Sequence, residues 1–197
     1  MILKGEKVYL IPYDETSIGL LVKWHEDDVF DDVMSDERSP KSIIDIKNIY
    51  SRFLPPRGRL FIGAIKPIDE LKDEEKQKLS PEKKKEMEKL IPIGIIALAD
   101  IDWKNRKAEL FGGIGFKEMR NKGYGIDAIK TILNWARKEL GLHRIYAYVK
   151  AHNKIAINSL KTAGFKVECE MKDAIYQDGK FINKVLMANV PRNKGGK

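Results

Sequence analysis

Seven consecutive residues, Arg120-Asn121-Lys122-Gly123-Tyr124-Gly125-Ile126, are the part of this chain best suited to hold an anion. They follow an apolar, glycine-bearing run from Leu110 to Phe116. After them Ile126, Ile129, Leu133, Ala136 and Leu140 recur at helical spacing. A strand, a loop and the first turn of a helix are therefore expected. The first N–H groups of a helix have no partner within it, and the helix dipole is positive there. Gly123 and Gly125 remove the Cβ atoms that would block close approach, and Arg120 and Lys122 add charge. The chemistry this supports is phosphate binding. The same residues also suit an ordinary tight strand-to-helix turn, and a glycine pair alone does not separate the two.

Other chemically active residues are less organised. His25, His143 and His152 show no nucleophile–base spacing and read as structural or surface residues. Cys169 is the only cysteine, which excludes an intramolecular disulfide; it reads as a small buried hydrophobe. No cysteine or histidine spacing suits a metal, and none is expected. Glu26, Asp27, Asp28, Asp31 and Asp32 form an acidic cluster, either a solvated face or a contact for a cationic amine. The formal charge of +8 favours anionic partners. No basic–aromatic motif accompanies it, so nucleic acid is not expected as a direct ligand. No run reaches membrane-spanning length and no signal pattern opens the chain, so a cytoplasmic protein is expected.

The elements that must position these residues follow from patterning. Residues 7–12 alternate as a strand, and Asp14 or Thr16 can cap a helix carrying Ile18, Leu21, Val22 and Trp24. Trp24 to Asp28 closes that helix. A second carries Ile43, Ile46, Ile49, Tyr50 and Phe53, and residues 60–65 form the next strand. Residues 67–92 are dense in acids and lysines and read as a charged helical insertion, with Ser80-Pro81-Glu82 as a helix start. Strands at 93–101 and 107–116 form a hairpin; Gly112, Gly113 and Gly115 in the second mark a bulge or a close approach. A helix to Gly141, a strand at 143–150, a helix capped by Asn153, and a strand at 165–171 follow. A hairpin turning at Asp178-Gly179 and a basic tail at 191–197 complete the chain. The strands at 107–116 and 143–150 are joined by a crossover helix, so they should be parallel neighbours. The expected fold class is α+β: one domain over residues 1–190, with a mixed, mostly antiparallel sheet flanked by helices.

This order, with Arg120-x-x-Gly123-x-Gly125 at its centre, resembles the GNAT acetyl-CoA-dependent N-acetyltransferases. Gly123 to Ala128 is similar to that family's loop-to-helix junction, with Asp127 where a glutamate is more usual. Leu142 to Ile145, then Val149-x-x-x-Asn153-x-x-Ala156 and Gly164-Phe165, resemble its fifth strand and following helix. Gln177 to Lys180 with Val185-Leu-Met187 resembles its closing hairpin. Gly5 to Val8, Leu10 to Pro12 and Trp24 to Asp27 look like the branch containing the ribosomal-protein N-terminal acetyltransferases, although Ile11 replaces the usual arginine.

The resemblance implies transfer of acetyl from acetyl-CoA, as co-substrate, to a primary amine. The first reading of the acceptor is a protein N-terminal α-amine. The alternatives are a polyamine or other small amine, or a non-catalytic acetyl-CoA-binding sensor. The resemblance also implies that Ile114, Gly115 and Phe116 pair with the pantetheine arm and that Arg120 to Ile126 hold the pyrophosphate. Asn153 would reach the arm from the next helix, and the oxyanion would lie over an N–H near Ile114 or Phe116. An alkylammonium must lose a proton before it can attack, and Glu109 matches the family's glutamate base. Many relatives place a tyrosine general acid where this chain has Leu160; Ser159 or Asn158 stands in for it, or solvent does. The first two helices flank the acceptor in the family, which makes Trp24, Glu26 and Asp27 acceptor-side residues. The oligomeric state is open, a homodimer included.

Overall fold

The structure is a computed structural model describing residues 1–36, 41–65 and 90–191. Eight strands form one sheet in the order β1 (Leu3–Lys4), β2 (Val8–Pro12), β3 (Arg59–Ile65), β4 (Ile91–Asp102), β5 (Lys107–Ile114), β6 (Arg144–Lys150), β8 (Lys180–Asn189) and β7 (Lys166–Gln177). Every neighbouring pair is antiparallel except β5 and β6, which are parallel as the crossover requires.

Helices cover both faces. α1 (Ile18–His25), α2 (Asp28–Met34) and α3 (Ile43–Ser51) lie on one face; α4 (Tyr124–Lys138) and α5 (Lys154–Thr162) lie on the other. Strand β4 is buried on both faces, which explains its nearly continuous apolar run: Ile93, Ile96 and Leu98 pack with the α4 side, Ile95, Ala97 and Ala99 with the α1–α3 side. Of the five residues read from spacing in α4, Leu133 and Ala136 are buried and are joined in the stripe by Ile132 and Ala128; Ile126 and Ile129 are half-buried, and Leu140 lies past the helix end.

Several boundaries differ from the reading of the sequence. Trp24 to Asp28 closes α1, with Glu26 as its C-cap, but the acidic run also opens a second helix that the patterning does not show. Asp27 accepts from the Phe30 N–H at 2.8 Å, and α2 buries Phe30 and Met34. Ile91 and Pro92 belong to β4, paired with Ile65 and Ala64, so they are not part of the insertion. Residues 67–89 of it, including the Ser80-Pro81 start, lie outside the described residues, as does the tail from residue 192. The strand read at 165–171 and the first arm of the closing hairpin form a single long β7, its pairing with β8 interrupted in register between Met171 and Ile175. Cys169 is exposed there, because β7 is an edge strand with little packed against it. The closing turn is as expected, with Asp178 and Gly179 both at positive φ.

Candidate active site

The pairing of β5 with β6 covers only Lys107–Arg144, Ala108–Ile145 and Glu109–Tyr146. Both strands continue for several residues without bonding each other, so the sheet forks immediately after Glu109. The Gly115 N–H donates to the Ile93 carbonyl at 2.8 Å. Backbone groups alternate along a strand, so Gly112 and Ile114 turn theirs toward the gap. Beyond the end of β5 the chain makes a short 3-10 turn, Lys117–Met119, and enters α4 through Gly123 at φ +84. That conformation suits glycine alone among common residues at low cost. A Cβ on Gly125 would meet nothing within 4 Å, so the space over the first turn of α4 is open.

The glycines in β5 have a packing cause. A Cβ on Gly115 would strike the Trp24 indole, and one on Gly113 would come within 2.6 Å of the Met34 methyl. Trp24, 1% exposed, is wedged against the strand and contacts Phe116 edge-on and Phe30 at a tilt. It shapes the floor of the fork from inside the core. Its Nε1 is buried with no partner among the described residues.

Helix α2 spans the fork on this face. Its Met34 and Phe30 sit on Gly113 of β5. Across the gap the Lys150 ammonium, at the end of β6, donates to the Asp32 carbonyl and carboxylate, the Ser35 carbonyl and Gln177 Oε1, at 2.8 to 3.1 Å. The acidic cluster is thus largely committed inside the protein. Asp31 bonds His25 and Lys41. His25 also meets the Tyr50 hydroxyl at 3.0 Å, and burial holds its pKa below the usual imidazole value. For Asp32, burial is outweighed by Lys150, Gln177 and His152, and the carboxyl titrates below the ordinary aspartate range. Glu26 and Asp28 are exposed. A groove of about 260 Å³ between α2 and the start of α5 is lined by Asp28, Val29, Asp32, Val33, His152 and Asn153. Asn153 caps α5, accepting from the Ala156 N–H at 3.0 Å.

Arg120 turns back from the loop. Its guanidinium bonds Asp27 at 2.6 Å and the carbonyls of Ile114 and Gly115 at 3.2 and 3.3 Å. It therefore braces the strand end to the N-terminus of α2. Lys122 and Asn121 are exposed on the loop, with Asn121 at φ +61. Asp127 has an unanticipated part: its buried carboxylate accepts the N–H groups of Glu6, Lys7 and Val8 at 2.7 to 3.1 Å, tying the β1–β2 turn to α4. Ser159 is half-buried, Asn158 exposed, and Leu160 in the core.

Glu109 faces the α1–α3 side, where Arg52 reaches it from the end of α3 at 2.6 Å. The same guanidinium nitrogen holds Asp100 at 2.8 Å. Opposing burial, these two carboxylates raise the Arg52 pKa and keep it charged. Tyr146, opposite Glu109 in the register, has its phenol raised by burial and then by the Glu109 charge. Arg52, Asp100 and Tyr146 carry no sequence signal; only the Tyr146-x-Tyr148 alternation, opposite the apolar face of β6, sets one of them apart. Among the described residues no group of three metal-ligating side chains converges.

A forked sheet with a glycine loop beyond its tip is a known arrangement. The sequence model of the acetyltransferase (GNAT) domain matches residues 74–186, and the chain belongs to that family. The fold is the GNAT fold. Among curated proteins the chain is similar to the spermidine N(1)-acetyltransferase of Escherichia coli strain K12, 30% identical over 94 residues, 48% of this chain and 50% of that protein. The spermidine N(1)-acetyltransferase of Vibrio cholerae is 29% identical over 89 residues, 45% of this chain and 51% of that protein. The chain thus spans about half the length of the curated relatives it matches. Among solved structures, the Vibrio cholerae spermidine N-acetyltransferase in complex with CoA and spermine superposes with a TM-score of 0.71 at 20% identity, covering 93% of this chain and 95% of that one. A dodecameric structure of the same enzyme gives 0.67 at 19% identity, covering 93% of each chain.

Proposed function

We propose that this protein transfers the acetyl group of acetyl-CoA to a primary amine of a polyamine. The observation that carries the reading is the fork: β5 and β6 part after Glu109 and leave the backbone groups of Gly112 and Ile114 facing a gap. An extended amide-bearing arm fits such a gap as a missing strand would. The pantetheine arm lies along Ile114, Gly115 and Phe116, and Asn153 approaches it from the cap of α5. The pyrophosphate sits on the loop from Asn121 to Ile126, over the open space at Gly125, with Lys122 beside it. Arg120 serves this loop through its brace to the strand end and its charge.

The acceptor enters as an ammonium from the α1–α3 side. Glu109 takes one proton, and the neutral nitrogen attacks the thioester carbonyl. The carbon–sulfur bond breaks as the tetrahedral intermediate collapses. The second amine proton leaves, and the thiolate takes a proton from solvent or through Ser159. A strand N–H near Ile114 stabilises the oxyanion. The acceptor assignment departs from the first reading of the sequence, a protein N-terminal amine. The half-length similarity to spermidine acetyltransferases supports the polyamine instead, and the acidic groups on the acceptor side suit a polycation.

Thiol release from acetyl-CoA tests this directly, with spermidine, a small diamine and peptides of varied N-terminus as acceptors. Turnover with spermidine and little with peptides is expected. Turnover with peptides alone restores the N-terminal reading, and cofactor binding without turnover on any amine leaves a sensor.

A further inference from the structure

The Glu109–Arg52–Asp100 arrangement is built around one nitrogen. Arg52 Nη2 bonds Glu109 Oε2 at 2.6 Å and Asp100 Oδ2 at 2.8 Å. The two N–H groups of this one nitrogen go to two different carboxylates, so a single cationic nitrogen sits between two acids, a place that the point charge of a primary ammonium also fits. Arginine more often meets a carboxylate through two nitrogens in a fork. Asp100 reaches the position at some cost: it is a non-glycine residue at φ +45, placed where the β4–β5 register breaks between Ala99 and Asp102. Such a conformation persists where its surroundings enforce it, and it is concentrated at functional sites. Here Arg52 and Arg57 hold its two oxygens, the latter at 3.3 Å.

Access runs in one direction. Asp100 is 37% exposed at its side chain and Glu109 13%, so an incoming cation meets Asp100 first and Glu109 second. Arg52 is the C-cap of α3, and its side chain is 40% exposed, so it can swing into solvent without unwinding a helix. An ammonium that takes its place keeps the local charge unchanged, with Arg57 still on the far oxygen of Asp100.

We propose that Asp100 and Glu109 together form the subsite for the reacting ammonium, and that Arg52 is an internal occupant the acceptor displaces. Arg52 mimics the substrate cation while the site is idle and leaves Glu109 to the amine once it arrives. Asp100 anchors the ammonium as its proton passes to Glu109. This rests on the amine acetyltransferase reading of the same site.

The test is calorimetric titration of spermidine into the CoA-loaded protein, with thiol release measured in parallel. Removing the competitor by Arg52→Ala should tighten spermidine about threefold, the scale of one partly exposed ion pair. Asp100→Asn should weaken it about tenfold, the scale of a lost charged hydrogen bond; asparagine tolerates the left-handed backbone, so the fold is kept. Unchanged or weaker binding in Arg52→Ala overturns the displacement, because Arg52 then only orients Glu109. Unchanged binding in Asp100→Asn overturns the subsite, as does absence of binding in both the natural protein and Arg52→Ala. Binding that follows the expected pattern without thiol release supports the subsite and removes the acetyl-transfer reading, so the two failures are distinct.

Discussion

Glu109 stands at the last rung before the sheet opens, bonded to an arginine from another helix and facing a tyrosine across the parallel pair. Glu109→Gln keeps its shape and removes the proton acceptor. Turnover at neutral pH should fall about 100-fold while acetyl-CoA affinity stays unchanged; equal turnover would remove Glu109 as the base. Asp127 acts differently, through three backbone N–H groups of the N-terminal turn. Asp127→Ala leaves those donors without their carboxylate, and urea unfolding should register a loss of about 3 kcal/mol. His25 gives a pH signature. Burial depresses its folded pKa, so the fold keeps it neutral, and stability should drop as pH falls from about 6.5 toward that lower value. Asp27 and Asp32 add a later loss. Both are lowered, with burial outweighed by Arg120 and by Lys150 respectively, so their contribution holds above the ordinary aspartate pKa and disappears as pH falls through the folded values. Urea midpoints from pH 7 to 5 should be flatter in His25→Gln than in the natural protein.

At the scale of elements, the glycines of β5 and the helices above it are a matched set. Gly115→Ala should cost about 1 to 3 kcal/mol, because its methyl meets the rigid Trp24 ring. Gly113→Ala should cost less, since the Met34 methyl it meets can move. Pairing Gly115→Ala with Trp24→Leu should recover part of the loss, and a purely additive double mutant would argue against the contact. In α4, Gly125→Val should leave the melting temperature unchanged and abolish acetyl-CoA binding, because its side chain points into open space that the fold does not use. The loop, the crossover, the two sides of the parallel pair and the Asp178-Gly179 turn were legible from periodicity and turn chemistry, which are local. Helix α2 was not: Val29, Phe30, Val33 and Met34 fall at helical spacing, but the segment is only seven residues long and three aspartates interrupt it, so it read as an acidic helix end. Cys169 was misplaced because burial of a strand depends on its place in the sheet, and edge position is not written in its own residues. Arg52 lies far along the chain from both of its partners, and no spacing rule connects them.

At the scale of the molecule, acetyl-CoA should raise the unfolding temperature in a concentration-dependent way, by about 2.7 kcal/mol of stability at a hundredfold excess over its dissociation constant. No shift would remove every reading that includes the donor. The fork gives that stabilisation a mechanical meaning. Strands β1 to β5 and strands β6, β8 and β7 are two half-sheets welded by three rungs at one end. At the other end they are tied by α2, through Met34 and Phe30 on one half and Lys150 on the other. In the empty protein the amides of Gly112 and Ile114 should exchange with solvent hydrogen quickly; with the donor in the gap they should slow together with those lining β6. On the proposed function the pantetheine arm would serve as a ninth strand and make the two halves one stiff plate. On that reading the molecule's rigidity, and with it its resistance to heat and proteolysis, should rise and fall with the supply of acetyl-CoA.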